Sequence, residues 1–338
     1  MNKIFKVVWS KTKECYVVVS EVAKNNGGKK KALASVLAGL AMVAAAGTMG
    51  TSVQADTNLG NSAVNISPNG TYNGSNSVGV NSVVVGYQNK TDNNSGTLAY
   101  GANNTAYGDS AFAIGNNNVA KGGNAYAMGN TAEALGTVAL AFGNQAKALA
   151  NYTVAMGSGA NASNENAVAV GRRTKAAGVA AVGMGLEANA AGDNSVAIGK
   201  NNTTTGGAGG VAIGNTNTST GDRAISIGES NNSQKEDTIT MGYSNTASVG
   251  GAIAIGQNNE ANSGGSAGNT MIAIGRDNKA KAQDTIAIGR ETTASKDLSV
   301  AIGNRTEATA NAAIAIGTNG APSGGNTYKT TASGFASI

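Results

Sequence analysis

The sequence predicts an all-β fold, a parallel β-solenoid of short coils, and three observations lead to it. A block of two apolar residues around a central residue, closed by Gly, recurs 17 times, most often every 14 residues, and the central residue is Ala in 13 copies. Within each block large apolar residues alternate with a small one, which is the period of a short strand. Five residues after the glycine, 16 of the copies carry Ala, Ser or Thr. A unit this short cannot bury an apolar face alone, so successive units are expected to stack.

The glycine that closes each block, here called the anchor glycine, defines the register. Of the 16 spacings between consecutive anchor glycines, 13 are 14 residues, two are 15 and one is 19. The longest spacing separates Gly256 from Gly275, and its extra residues around 262–268 are expected to form a surface loop that leaves the strand register intact. A helical repeat is disfavoured, because glycine costs about 1 kcal/mol in a helix interior.

Each strand is expected to present two different faces. Residues three and one before the anchor glycine are always large and apolar, as are Val196 and Ile198, and they share one face. We expect this pair to fill the interior of the coil. The small residue between them, such as Ala197, is then expected to face a second packed surface between copies of the chain.

The anchor glycines are expected to end the strands, because glycine readily takes the positive φ angles of tight turns. The polar segments that follow, such as 116–118 and 276–278, are expected to be solvated turns. The structural turn glycines predicted in this way include Gly115, Gly129, Gly143, Gly157, Gly171, Gly199, Gly256, Gly289, Gly303 and Gly317.

The first 55 residues have the features of a secretory signal. Three lysines at 29–31 precede an apolar, Ala-rich stretch at 32–50, and Val53-Gln54-Ala55 is a small-residue cleavage site, so cleavage is expected between Ala55 and Asp56. The alternative is a single transmembrane anchor. Without residues 1–55 the chain has 16 basic and 17 acidic residues, so its formal charge of +5 gives no support for nucleic-acid binding.

The rest of the chain divides into three expected segments. Residues 56–80 are a polar lead-in or degenerate cap, 81–317 hold the repeats, and 318–338 are the truncated start of a further repeat. Because Gly334 to Ile338 reads like the entry to another copy, the chain is expected to stop within a strand, as a fragment or a truncated product.

The composition disfavours catalysis. The chain has no histidine, and its one cysteine, Cys15, lies in the expected signal, so the usual carriers of proton transfer and metal chemistry are missing from the remainder. Acids are scattered among the turns without repeated pairing, and we predict no catalytic, cofactor-binding or metal-binding residue. Five basic residues that closely follow anchor glycines are candidates for a basic stripe or for solvated charges: Arg172, Arg173, Lys200, Arg276 and Arg290.

Two parts of the chain resemble known families. Residues 1–9 and 15–21 resemble the extended signal-peptide region of large Gram-negative autotransporters, with Tyr16 where that region usually has Trp. The block Asn194-Ser195-Val196-Ala197-Ile198-Gly199, with its 14-residue period, resembles the YadA-like head of trimeric autotransporter adhesins. This resemblance implies a left-handed parallel β-roll, three chains packed side by side, and a stalk and anchor that hold the head away from the outer membrane.

The resemblance also implies a function. Heads of this kind bind host matrix proteins, host cells or other bacteria, and their NSVAIG motif is implicated in binding collagen-like matrix. Carried over, this marks Asn194, Ser195, Val196, Ala197, Ile198 and Gly199 as ligand-binding candidates. The competing interpretation is that these residues build the fold and that turn residues make the contacts. The alternative function is a structural spacer that holds a distal binding tip outward. Membrane attachment is expected only through a C-terminal anchor, which this sequence is not expected to include.

Overall fold

The computed structural model describes residues 5–10, 15–20, 52–55, 64–67, 81–92, 96–263, 270–318 and 330–334. Two compact units divide the chain. The first contains an antiparallel pair, β1 (Phe5–Ser10) and β2 (Cys15–Ser20), in which Phe5 is opposite Ser20 and Ser10 is opposite Cys15. Four parts of the chain discussed above lie outside the described residues: Asp56, the apolar stretch at 32–50, most of the extra residues at 262–268 and the last four residues. No helix within the described part is long and apolar enough to cross a membrane.

The second unit is a parallel β-solenoid, so the predicted all-β fold class is confirmed. It includes the second half of β3 (Ser52–Ala55) and all of β4 (Val64–Ser67), and then a long and a short strand alternate. The long strands are β5 (Val83–Tyr87), β7 (Leu98–Ala102), β9 (Phe112–Asn116), β11 (Tyr126–Asn130), β13 (Leu140–Asn144), β15 (Val154–Met156), β17 (Val168–Val170), β19 (Val182–Leu186), β21 (Val196–Lys200), β23 (Val211–Asn215), β25 (Ile225–Glu229), β27 (Ile239–Tyr243), β29 (Ile253–Gln257), β31 (Ile272–Arg276), β33 (Ile286–Arg290), β35 (Val300–Asn304) and β37 (Ile314–Thr318).

The short strands form the opposite wall of each coil. They are β6 (Lys90–Thr91), β8 (Thr105–Ala106), β10 (Val119–Ala120), β12 (Glu133–Ala134), β14 (Lys147–Ala148), β16 (Asn161–Ala162), β18 (Lys175–Ala176), β20 (Asn189–Ala190), β22 (Thr203–Thr204), β24 (Thr218–Ser219), β26 (Asn232–Ser233), β28 (Thr246–Ala247), β30 (Glu260–Ala261), β32 (Lys279–Ala280), β34 (Thr293–Ala294), β36 (Thr306–Ala308) and β38 (Thr330–Ala332).

Long strands pair in parallel with long strands, and short strands with short strands, always in matching register. Val196 is opposite Val182 and Val211, and Gly199 is opposite Gly185 and Gly214. The 19-residue spacing leaves the register intact, as predicted, because Gly256 is opposite Gly275. At a strand spacing of about 4.8 Å, the 17 described long strands make a stack roughly 80 Å long.

The interior contradicts the predicted orientation of the strands. Ala197 is fully buried, whereas Val196 and Ile198 on either side of it are only half-buried and point outward. Each described long strand shows this alternation, with a half-buried or exposed residue on each side of a buried one. The small residue therefore fills the coil, and the large pair forms its outer surface.

The narrow width of the coil explains the reversal. From Gly86 to Gly303, residues four and two before and three and five after each anchor glycine are all buried. They are mostly Ala, Ser, Thr and Asn, so the two walls lie close together. At Gly183, which replaces the usual alanine, an added Cβ would lie 2.6 Å from the carbonyl oxygen of Lys175 and 2.9 Å from Cγ2 of Thr174. A pair of Val or Ile side chains has no room in such an interior.

Buried asparagines form ladders through this interior, which corrects the expectation that the polar segments after the glycines are solvated throughout. Asn118 and Asn278, three residues after their anchor glycines, are fully buried. In one ladder Nδ2 of Asn245 lies 2.9 Å from Oδ1 of Asn231, 3.0 Å from the carbonyl oxygen of Met241 and 2.8 Å from that of Gly256. The ladders comprise Asn89, Asn104 and Asn118, and then Asn202, Asn217, Asn231, Asn245, Asn259 and Asn278.

The anchor glycines lie within the long strands or directly after them. Gly199 has φ +116°, and the strand continues to Lys200. A Cβ added to Gly199 would lie 2.0 Å from the carbonyl oxygen of Gly214 in the next coil. Both the backbone conformation and the close stacking of coils therefore require glycine here. The other nine predicted turn glycines have φ between +120° and +146°, except Gly317.

Residues in the left-handed region mark the turns of the coils, and most of them at these positions are not glycine. Most favour this region only weakly, and Val138, at φ +56°, is β-branched and therefore strained. The equivalent residue of the preceding coil is Asn124, at φ +55°, which tolerates the conformation well.

We expect Val138→Asn to stabilise the protein by about 1 kcal/mol, because Val138 is 46% exposed and its replacement relieves strain without opening the core. Asn124→Val is the reciprocal control and should lose a similar amount. Urea unfolding followed by circular dichroism measures both. Equal midpoints for the two variants would contradict this assignment of strain.

Candidate binding surfaces

The NSVAIG block does not form one continuous surface. Asn194 is exposed in a turn at φ +54°, while Ser195 and Ala197 are fully buried. Oγ of Ser195 accepts a hydrogen bond from Oγ1 of Thr204 at 2.9 Å, which fixes it inside the coil. Only Asn194, Val196, Ile198 and the backbone around Gly199 can therefore contact another molecule while the coil is folded.

The outer surface of the long strands is a continuous apolar face. It consists of the residues three and one before each anchor glycine, two columns that run the length of the stack; we call it the outer apolar face. Several members are strongly exposed, including Ile316 at 64% and Tyr100 at 53%. The first column is Val83, Leu98, Phe112, Tyr126, Leu140, Val154, Val168, Val182, Val196, Val211, Ile225, Ile239, Ile253, Ile272, Ile286, Val300 and Ile314, and the second is Val85, Tyr100, Ile114, Met128, Phe142, Met156, Val170, Met184, Ile198, Ile213, Ile227, Met241, Ile255, Ile274, Ile288, Ile302 and Ile316.

An apolar surface of this length is unusual for a single soluble chain. Contiguous apolar patches larger than a few hundred Å² mark sites of association. The sequence interpretation missed this face because it assigned these side chains to the interior. The signal that could have revealed it is the length of the repeat, since a 14-residue coil with four inward positions has space only for small side chains.

The basic residues do not form a simple positive stripe. Nη1 of Arg173 lies 3.2 Å from Glu187, Nε of Arg276 lies 3.5 Å from Asp277, and Nε of Arg290 lies 3.6 Å from Glu291. No ion pair within 4 Å among the described residues involves Arg172 or Lys200. Alternating charges along the turns thus partly neutralise each other.

Ion pairs with arginine lower the pKa values of two carboxylates, Glu291 and Asp237. A hydrogen bond from Arg305 lowers the pKa of Glu291, with Nε of Arg305 at 2.8 Å. A hydrogen bond from Arg223 likewise lowers the pKa of Asp237, with distances of 2.7 and 2.8 Å. Both pairs are solvent-exposed, so their contribution to stability is small.

The lowered pKa of Glu291 predicts a pH-dependent effect of Glu291→Gln. A depressed pKa adds stability above the unfolded-state pKa, and that stability is lost as the pH falls through the folded-state pKa. We therefore expect Glu291→Gln to lower the unfolding midpoint slightly at pH 7 and to leave it unchanged near pH 2. A deficit of the same size at both pH values would show that the ion pair is not its cause.

The described residues offer no group of three or more His, Cys, Asp or Glu side chains able to hold a metal ion. Among the scattered acids, Glu133 pairs with Lys147 at 3.3 Å. The surfaces that can contact another molecule include the outer apolar face and the turns between the long and short strands.

Comparisons with known proteins identify two parts of the chain. The family model of the extended signal peptide of the type V secretion system matches residues 1–48. The family model of the YadA head domain repeat matches more than half of the chain, in segments at 94–118, 120–146, 136–160, 148–174, 176–202, 206–229, 234–259, 272–292 and 294–319. None of the curated proteins matches the chain.

Proposed function

Because the chain belongs to the YadA-head family of trimeric autotransporter adhesins, we propose that it forms a non-catalytic, multivalent adhesin head. The extended signal peptide indicates export, and the family indicates display at the cell surface or outer membrane. YadA-like adhesins are in general non-enzymatic. The observation that carries the proposal is the stack of coils in matching register, which presents equivalent backbone positions many times along one chain.

Homotrimer formation is the first part of the proposal. The outer apolar face is about 12 Å wide and roughly 80 Å long, so each chain could bury about 1,000 Å² against its neighbours. This exceeds the roughly 800 Å² per partner of a standard stable interface. A second copy of the chain fits best, because its columns repeat with the same spacing. Three copies around one axis would cover the face of every chain and leave the turns exposed.

We expect charges on the outer apolar face to dissociate this trimer. In a chain that begins at residue 56, Ile255→Lys with Ile274→Lys would place desolvated charges in the proposed interface and shift the mass from trimer to monomer. The measurement is light scattering coupled to size-exclusion chromatography. Thr203→Lys with Thr218→Lys, on the short-strand wall, is the control with equal charge and should remain trimeric. A stable monomer of the unsubstituted chain would contradict the assembly.

Ligand binding is the second part. With the outer apolar faces covered, the turns remain accessible, and Asn194 is the member of the NSVAIG block best placed for contact. The turns repeat at the same place in successive coils and offer many weak contacts, and the combined avidity of such contacts can exceed a single affinity by orders of magnitude. We propose host matrix proteins, host-cell surface proteins or other bacteria as partners.

The alternative is a structural spacer, which the same stack of coils would also serve. The test is to fuse residues 56–338 to a trimerising stalk and to measure adhesion to matrix proteins, host cells and bacteria. The adhesin proposal expects binding to at least one surface, which weakens sharply when the head is monomeric. Binding to none of them would favour the spacer.

A further inference from the structure

The outer apolar face is not uniform along its length. Four aromatic side chains, here called the aromatic block, occupy four consecutive long strands: Tyr100 on β7, Phe112 on β9, Tyr126 on β11 and Phe142 on β13. The rings of Phe112 and Tyr126 meet edge to face with their centroids 4.9 Å apart. Tyr100 is 53% exposed, and the other three are half-buried. These four layers therefore carry larger side chains than the aliphatic layers of the face, and we call them the ridge.

The remainder of the face is aliphatic. From Val154 to Ile316 its two columns contain only Val, Ile and Met. Coils in this part are close to interchangeable: Ile253 and Ile255 match Ile272 and Ile274, and these match Ile286 and Ile288. The ridge and the aliphatic part thus differ in the volume that each layer presents to a partner.

Interchangeable coils create a register problem for the proposed trimer, on which this inference rests. If one chain slides along its neighbour by one coil, about 4.8 Å, nearly all aliphatic layers still meet layers of the same kind. The axial register of copies that associate through such a repeat is poorly specified unless displaced arrangements cost free energy in some layers. The aliphatic part supplies almost no penalty of this kind.

We infer that the aromatic block sets the axial register, and the parallel direction, of the copies in the assembly. When the copies are in register, the four layers that carry rings in one copy lie level with the same four layers of the other copies. After a slip, the coils at both ends of the ridge oppose layers of different volume, which leaves either gaps or clashes. An antiparallel copy that overlaps the full length of the stack would place every ring opposite an aliphatic layer.

The register can be measured with disulfides, because a chain that begins at residue 56 contains no cysteine. One chain carries Ile255→Cys, and a co-expressed chain with a tag of different size carries a cysteine at the equivalent position of the preceding, the same or the following coil: Met241→Cys, Ile255→Cys or Ile274→Cys. Disulfides need Cα atoms within about 7 Å, so their yields indicate which coils are level. We expect the same-coil product to exceed the other two by about tenfold or more.

The deciding variant removes the ridge but keeps the face apolar: Tyr100→Ile, Phe112→Ile, Tyr126→Ile and Phe142→Ile. These side chains point outward, so the coil interior is unchanged. We expect the three disulfide yields to become comparable. The matched control, with Ile→Val at 253, 272, 286 and 314, should keep the same-coil product dominant.

The outcomes separate the two proposals. A same-coil product that still dominates in the ridge-free variant would overturn the register inference and leave the trimer intact. Loss of assembly in that variant alone would also overturn it, because the rings would then supply affinity instead of register. If the unsubstituted chains give no interchain disulfide and sediment as monomers, the proposed trimer fails, and this inference fails with it.

Discussion

Ala141→Leu should destabilise the head by about 3 kcal/mol or more, whereas Leu140→Ala should cost the isolated chain about 1 kcal/mol or less. Ala141 is fully buried between Ala127 and Ala155 of the neighbouring coils, and the opposite wall leaves no space for three additional carbon atoms. Leu140 precedes it in the chain but lies half-buried on the outer apolar face. Removing a leucine side chain usually destabilises a protein more than adding one, and we expect the opposite order for these two neighbouring positions.

The measurement is urea unfolding of both variants together with hydrogen exchange of the neighbouring coils. Hydrogen exchange is needed because repeat arrays can open locally without two-state behaviour. In Ala141→Leu we expect lost protection to centre on β11, β13 and β15. If Leu140→Ala lowers the stability of the monomeric chain more than Ala141→Leu does, the orientation of the strands is wrong.

Asn245→Leu should cost about 3–4 kcal/mol, the second-largest effect we expect. The substitution removes the donor shared by Asn231 Oδ1 and the carbonyl oxygens of Met241 and Gly256. It also removes the acceptor for the backbone N–H and the side-chain Nδ2 of Asn259, at 3.0 and 2.9 Å. Several buried polar groups would then lack partners at once.

Asn245→Asp should be at least as harmful at pH 7, because it would bury a carboxylate against two carbonyl oxygens. Acidification should restore part of that stability, since protonation removes the charge. Asn232→Ala is the control, because Asn232 lies half-buried on the short-strand wall beside the ladder. Thermal unfolding at pH 7 and pH 4 measures all three variants. A cost for Asn245→Leu as small as that of Asn232→Ala would contradict the stabilising role of the ladder.

Periodicity alone predicted the solenoid, because the spacing of the anchor glycines is also the spacing of the stacked coils. Gly256 and Gly275 are opposite each other despite five extra residues between them, so the repeat, and not the residue count, determines the pairing. The restriction to Ala, Ser or Thr five residues after the glycine agrees with the structure, in which residues such as Ala120 and Ala148 are fully buried.

The orientation of the strands could not be obtained from the alternation, because period 2 separates two faces without saying which one is inside. The general preference for burying Val and Ile favoured the wrong choice at Val196 and Ile198. What decides it is the volume inside a 14-residue coil, which depends on the distance between the two walls. The asparagine ladder was missed for a related reason: Asn117 and Asn118 are neighbours of the same type, yet one is exposed and the other is fully buried.

The central claim is that small residues fill each coil and large apolar residues form the surface through which copies associate. Thiol labelling of a chain that begins at residue 56, with one cysteine at a time, tests it most directly: Ala197→Cys for the interior and Ile198→Cys for the outer apolar face. In charge-substituted monomers, the thiol of the Ile198→Cys variant should react rapidly and that of the Ala197→Cys variant only on unfolding. Assembly should then protect the thiol of Ile198→Cys as well. Rapid labelling of the folded Ala197→Cys monomer, with the thiol protected in the folded Ile198→Cys monomer, would contradict the account.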